Sequence, residues 1–187
     1  MAIPEKCNYS SIINDLLLWY DKNPDDWKWT WQKLEEKWNH DLCPWAKSDP
    51  PTIQDKIIGK FNIQGHFNGA YILIGLLYGK GDYLESIKIC TRCGQDTDSN
   101  VANCGGIMGV ITGYQELPQE VKDELNPYMD RNYYYTSLSI NSASELSYDL
   151  ALKNILDNGG KIDNEQIGIK TQHYEFDGKL EVSFKNL

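Results

Sequence analysis

The 187-residue sequence contains no apolar run near the roughly 20 residues a helix needs to cross a bilayer, which sets aside a membrane partner. It has no surplus of positive charge either. Against 18 Lys and Arg stand 27 Asp and Glu, a formal net charge of −9. Tracking a phosphate backbone needs clustered cations that release counterions, so nucleic acid is also set aside. The CxxC of Cys90 and Cys93 has no second pair at zinc-ribbon spacing. The five cysteines are odd in number and irregular in spacing, in a chain long enough to need no staples. They read as free thiols, with Cys90 and Cys93 as two small residues one helical turn apart. No basic region followed by an apolar stretch and a cleavage site opens the sequence. The expected location is cytoplasmic, a leader on a longer parent chain lying beyond what this sequence can display. No internal repeat is present.

What the sequence does have is a globular balance of 41% hydrophobic, 12% aromatic and 24% charged residues. That apolar share can offset the entropy of ordering one domain, or one domain with a small appendage. Residues 9–20 carry a Ser start signal and apolar Ile12, Ile13, Leu16, Leu17 and Tyr20 at helical steps. In the next segment Pro24, Asp25 and Asp26 mark a helix start, and Trp27, Trp31, Leu34 and Trp38 line one face. Residues 41–56, with Pro44, Pro50 and Pro51, read as loop. A helix follows over Gly69–Tyr78, stopped at Gly79–Gly81; Asp82 opens another, with Leu84, Ile87, Lys88 and Thr91 on successive turns.

The stretch from Asp98 to Gly113 reads as a helix with a small-residue side, where mid-helix glycines costing about 0.5–1 kcal/mol each call for close approach of a helix or ligand. After a Tyr-rich loop, residues 142–160 give one more helix, from a Ser cap to a Gly159–Gly160 stop. From about residue 163 the pattern alternates in period two around Asp177-Gly178, a hairpin signal. The expectation is an all-α fold over residues 1–158 with a small C-terminal β-hairpin appendage over 159–187.

Chemistry concentrates in RCGQDTDSNVANCGGIMG, residues 92–109. Asp96 and Asp98 are two apart, so in an extended turn before a helix their carboxylates can reach a common centre, with the Ser99 hydroxyl beside them. Hard cations such as Mg²⁺ or Mn²⁺ take such oxygens, and a helix N-terminus helps orient an anion. An EF-hand is excluded, because Val101 stands where Gly is needed and Ile107 where the bidentate Glu belongs. Plain N-capping by Asp98 or Ser99 stays open. An aspartate dyad sharing a proton ordinarily draws on two separate loops.

This run, with the preceding HFNGAYILIGLLYGKGDYLESIKICTRC, resembles the C-terminal signature of the ADP-ribosylglycohydrolase (DraG-like) family, and the opening residues resemble helices of the same domain. The resemblance covers roughly residues 1–158. It implies an all-α domain with a binuclear Mg²⁺ or Mn²⁺ centre that hydrolyses the glycosidic bond between ADP-ribose and an acceptor. Carried over by position, Asp96 and Asp98 would be catalytic metal ligands, and Ser99 would replace the usual Thr as a third. Gly94 would let the backbone approach the ribose. His66 and Asn68, in QGHFNGA, are further candidate substrate contacts, for which a structural role is the competing reading. The partner would be an ADP-ribosylated substrate or an ADP-ribose-like small molecule.

The family's upstream Thr-Asp-Asp motif does not occur in this sequence. Asp25-Asp26 sits after a Pro on an amphipathic helix and reads as a first-turn dipole pair. The expectation is therefore half a site, the missing N-terminal half of the domain being the implied partner. The alternative is a catalytically silent module that binds ADP-ribose or a metal. The tryptophans read as core packing, not as a carbohydrate platform. His40 and His173 carry no signal.

Overall fold

The structure, a computed structural model, describes residues 7–39, 64–163 and 166–171. It is an all-α fold with a small two-stranded antiparallel hairpin near the C-terminus. The chain forms two compact units, divided between Pro118 and Gln119.

In the first unit, helices α1 (Asn8–Lys22), α2 (Trp27–Trp38), α3 (Gly65–Tyr78), α4 (Tyr83–Arg92) and α5 (Thr97–Thr112) pack around α3, which touches all four others. Its sequence, GHFNGAYILIGLLY, carries no Asp, Glu, Lys or Arg, as befits a helix covered on most sides. The core is Ile12 and Leu16 of α1, Leu34 of α2, Phe67, Ala70, Tyr71, Ile74 and Tyr78 of α3, and Ile89 with Cys93 at the end of α4. Trp27, Trp31 and Trp38 pack against it, as helical spacing predicts. Thr30 and Tyr78 join hydroxyls at 2.6 Å inside this core, and Tyr78 donates onward to the Asn23 carbonyl at 3.0 Å.

Two local expectations need correction. The first helix is capped by the Cys7 thiol, which accepts from the Ser10 amide, and not by a serine, Ser10 itself being buried. In α4 the buried face is Ser86, Ile89 and Cys90, whereas Lys88 and Thr91 are exposed and Leu84 and Ile87 only half-buried. The small residues turn inward because α3 and α4 lie almost in backbone contact. A Cβ on Gly75 would come 2.8 Å from both Cys90 Cβ and the Ser86 carbonyl oxygen. A larger residue at any of the three positions would push the helices apart.

The second unit holds α6 (Gln119–Leu125), a 3-10 turn (Asn126–Tyr128), α7 (Ile140–Asp157) and strands β1 (Lys161–Asp163) and β2 (Gln166–Gly168). The stretch expected as loop thus contains a short helix, though Tyr133, Tyr134 and Tyr135 are exposed. Ser139 and Ser142 form a reciprocal capping box at the start of α7, and Gly159, with φ +79°, ends it. The hairpin pairs Lys161 with Gly168 and Asp163 with Gln166. The hairpin expected around Asp177-Gly178 falls on residues 172–187, outside the described residues, and the start of its first alternating segment instead forms β2; the 41–56 loop, His40, Cys43, Trp45 and His173 also lie outside them.

Candidate functional site

The site is assembled where α4 gives way to α5. Helix α4 closes as the Cys93 amide donates to Ile89 and Cys90 carbonyls, after which Gly94 at φ +84° and Gln95 at φ +62° reverse the chain. Gly94 is required by that backbone angle and not by crowding, since a Cβ there would meet nothing within 4 Å. Gln95 has no such licence, and a side-chain-bearing residue in the left-handed region costs on the order of 1–2 kcal/mol. Such conformations persist where surrounding structure holds them, often at ligand sites. Asp96 then takes the N-cap position, its carbonyl accepting the first helical bond from the Asn100 amide at 3.0 Å.

The side chain of Asp96 does not behave as a cap. At α2, Asp26 accepts from the Lys28 and Trp29 amides at 3.1 Å, and at α4 Asp82 accepts from the Glu85 amide at 2.7 Å. Asp96 makes no such bond with α5; its Oδ2 accepts instead from Asn68 Nδ2 of α3, at 2.8 Å. Asp98 and Ser99 follow in the first turn, both exposed, with the Ser99 carbonyl accepting from Asn103 Nδ2. A carboxylate in that turn is favoured by the positive end of the helix dipole.

Of the candidates expected from sequence, Gly94, Asp96, Asp98 and Ser99 therefore fall on one turn, and Asn68 reaches it from α3. His66 lies on the first turn of α3 with its ring tilted against Phe67 at 4.6 Å, and partial burial lowers its pKa from 6.5. The Asp25-Asp26 pair is structural but is not the first-turn dipole pair expected, because α2 begins at Trp27, Asp26 is its N-cap and Asp25 pairs with Lys80 at 2.5 Å.

Sequence reasoning did not single out Asn100 except as an EF-hand position. It is buried one turn into α5, and neither of its amide atoms has a hydrogen-bond partner among the described residues; Asn68 Oδ1 is likewise buried and has none among them. Each such group costs about 1–3 kcal/mol; Ser86 Oγ at the α3–α4 contact is another, and of these residues Asn68 is the one whose side chain bonds the Asp96 carboxylate. A second unnoticed network joins α2 to α3, with Glu35 accepting from the Tyr71 hydroxyl at 2.6 Å and from Asn39 at 2.7 Å. Burial, then the Glu35 charge, raises the Tyr71 pKa, so this phenol stays a donor.

The CxxC is structural. Cys90, Cys93 and Cys104 are buried free thiols. Hydrogen bonding with Cys104 and burial push the Cys90 thiol up, and burial does the same to Cys93. Trp31 Nε1 donates to the Cys93 carbonyl at 3.0 Å, fixing the end of α4 against α2.

The donors near Asp96 are carboxylate, hydroxyl and amide oxygens, the chemistry that suits Mg²⁺ or Mn²⁺. Among the described residues no group of three or more His, Cys, Asp or Glu could hold a metal by itself. The fit is thus to part of a ligand set. A surface cleft of about 520 Å³ in the second unit, lined by Asn154, Ile155, Asn158, Ile169, Lys170 and Thr171, includes none of these residues.

No curated protein and no solved structure matches this chain significantly. Residues 6–149 match the family model described as ADP-ribosylglycohydrolase, which takes in all five helices of the first unit and suggests a glycosylhydrolase activity. With most of its length inside that match, the chain belongs to the ADP-ribosylglycohydrolase family.

Proposed function

We propose that this chain contributes Asp96, Asp98 and Ser99 to a Mg²⁺ or Mn²⁺ centre in a hydrolase that cleaves the glycosidic bond between ADP-ribose and an acceptor. The observation that carries the reading is the aim of Asp96, an N-cap carboxylate that makes no bond to the amides of its own helix. Asp96 and Asp98 hold the cation by charge, and Ser99 adds a neutral oxygen. The start of α5 favours an anionic diphosphate nearby, and the open face of Gly94 leaves room for a ribose against the backbone. When bound, the cation supplies polarisation of substrate oxygens and activation of water.

A second reading is favoured by one observation, that two carboxylates are too few to neutralise two divalent ions and no larger acidic cluster is found among the described residues. On that reading the chain binds a cation or ADP-ribose without turnover. Titration calorimetry with Mn²⁺ on wild type, Asp96→Asn and Asp98→Asn, paired with release of ADP-ribose from a modified protein, separates the cases. Binding lost in both variants, with turnover in wild type, supports the hydrolase. Binding without turnover selects the silent module, and identical heats in all three proteins remove the ligand assignment.

A further inference from the structure

Asn68, on the first turn of α3, donates from Nδ2 to Asp96 Oδ2 at 2.8 Å. Chemistry dictates which way its amide faces, because a carboxylate only accepts and the NH₂ end must therefore meet it. The cost falls on the other end, where Oδ1 is left buried without a partner. An apolar side chain of the same shape would remove that unpartnered acceptor, and Asp96, which is only half-buried, would keep access to water. Stability therefore gives no reason for an amide at position 68. What the amide does accomplish is to tie down one of the two Asp96 oxygens, and with it the plane of the carboxylate. The backbone of Asp96 is held independently by the two left-handed residues before it. Asp26 and Asp82, whose carboxylates serve their own helices, receive no such side-chain donor from a neighbouring helix among the described residues.

We propose that Asn68 is a positioning residue, which holds the Asp96 carboxylate in the one rotamer that leaves Oδ1 free for a divalent cation. This rests on the reading of Asp96 as a cation ligand. Groups that orient a ligand in this way change metal affinity by roughly 10–100-fold when removed.

The test compares the full chain with its Asn68→Leu variant by three measurements. In the metal-free wild type, the Hα–Hβ couplings of Asp96 are expected to report a single rotamer, and in Asn68→Leu an average over several. The thermal midpoint of Asn68→Leu is expected to equal or exceed that of wild type, and its Mn²⁺ affinity, followed by electron paramagnetic resonance, to fall roughly tenfold or more. Averaged couplings in the wild type overturn the proposal whether or not the variant folds. So does a fixed Asp96 rotamer in Asn68→Leu, or a lowered midpoint with unchanged Mn²⁺ affinity, which would make Asn68 a packing residue. If wild type and Asp96→Asn titrate identically with Mn²⁺ while the couplings change as expected, the cation reading fails and the hold of Asn68 on Asp96 stands.

Discussion

Replacing Gly75 with alanine is expected to loosen the helix contact on which the entry of α5 depends. The added Cβ would lie 2.8 Å from Cys90 Cβ, 2.8 Å from the Ser86 carbonyl oxygen and 3.2 Å from Cys104 Sγ. Carbon atoms rest at about 3.5–4.0 Å, so α4 must retreat by something approaching 1 Å. No side-chain rotation can avoid this, because one neighbour is backbone and another a Cβ. Overpacking of this kind costs about 1–3 kcal/mol, toward the upper end where backbone is one of the neighbours, and the better helix propensity of alanine returns about 0.5–1 kcal/mol, leaving a net loss of up to about 2.5 kcal/mol. Gly106 of α5 is the control. It is exposed, a Cβ there would meet nothing within 4 Å, and its φ is not in the left-handed region, so Gly106→Ala is expected to stabilise by about 0.5–1 kcal/mol. Urea denaturation at fixed pH should move the two midpoints in opposite directions without changing the slope. A Gly75→Ala midpoint at or above that of wild type would refute the close-approach argument.

Two further outcomes follow from buried polar groups. Tyr78→Phe removes the partner of the fully buried Thr30 hydroxyl and is expected to cost about 1–3 kcal/mol, with Thr30→Val in the same chain recovering part of the loss. Strict additivity of the two substitutions in denaturation would contradict the pairing. For the thiols, hydrogen bonds from Ser10 lower the Cys7 pKa from 9.0, while Cys90 and Cys93 are shifted the opposite way. Iodoacetamide near pH 8 should label Cys7 of the native chain at least roughly tenfold faster than Cys90 or Cys93, as read by peptide mass spectrometry. Equal labelling would show that the α3–α4 contact opens readily.

Much of the helical layout is legible in the residues themselves. Asp26 and Asp82 cap the helices whose starts they mark in the sequence, because a cap is a local bond within one turn, whereas the last helix starts at Ile140 with Ser139 as its cap, earlier than the Ser start expected at residue 142. The buried face of α4 was not legible in the same way. Periodicity selected Leu84 and Ile87, but Ser86 and Cys90 face inward because Gly75 admits a neighbour almost to the backbone, a fact about two helices and not one. The small side of α5 divides likewise. A Cβ on Gly105 would lie 3.2 Å from Tyr83 Oη and 3.7 Å from Ile87 Cγ2, whereas one on Gly106 or Gly109 would meet nothing within 4 Å.

Spacing along the chain determined the helical class and the clustering of Asp96, Asp98 and Ser99 on a single turn, and the resemblance of the residues 92–109 run pointed to the family that the family model matches. Capping of this helix was left open at that level between Asp98 and Ser99; the cap position is taken by Asp96, whose side chain does not bond its own helix as Asp26 and Asp82 do. Only the packing of α3 against α5 decided it, by bringing an amide 28 residues away within 2.8 Å of the carboxylate. A carboxylate accepts from whichever donors the fold presents with good geometry, and that choice belongs to tertiary structure.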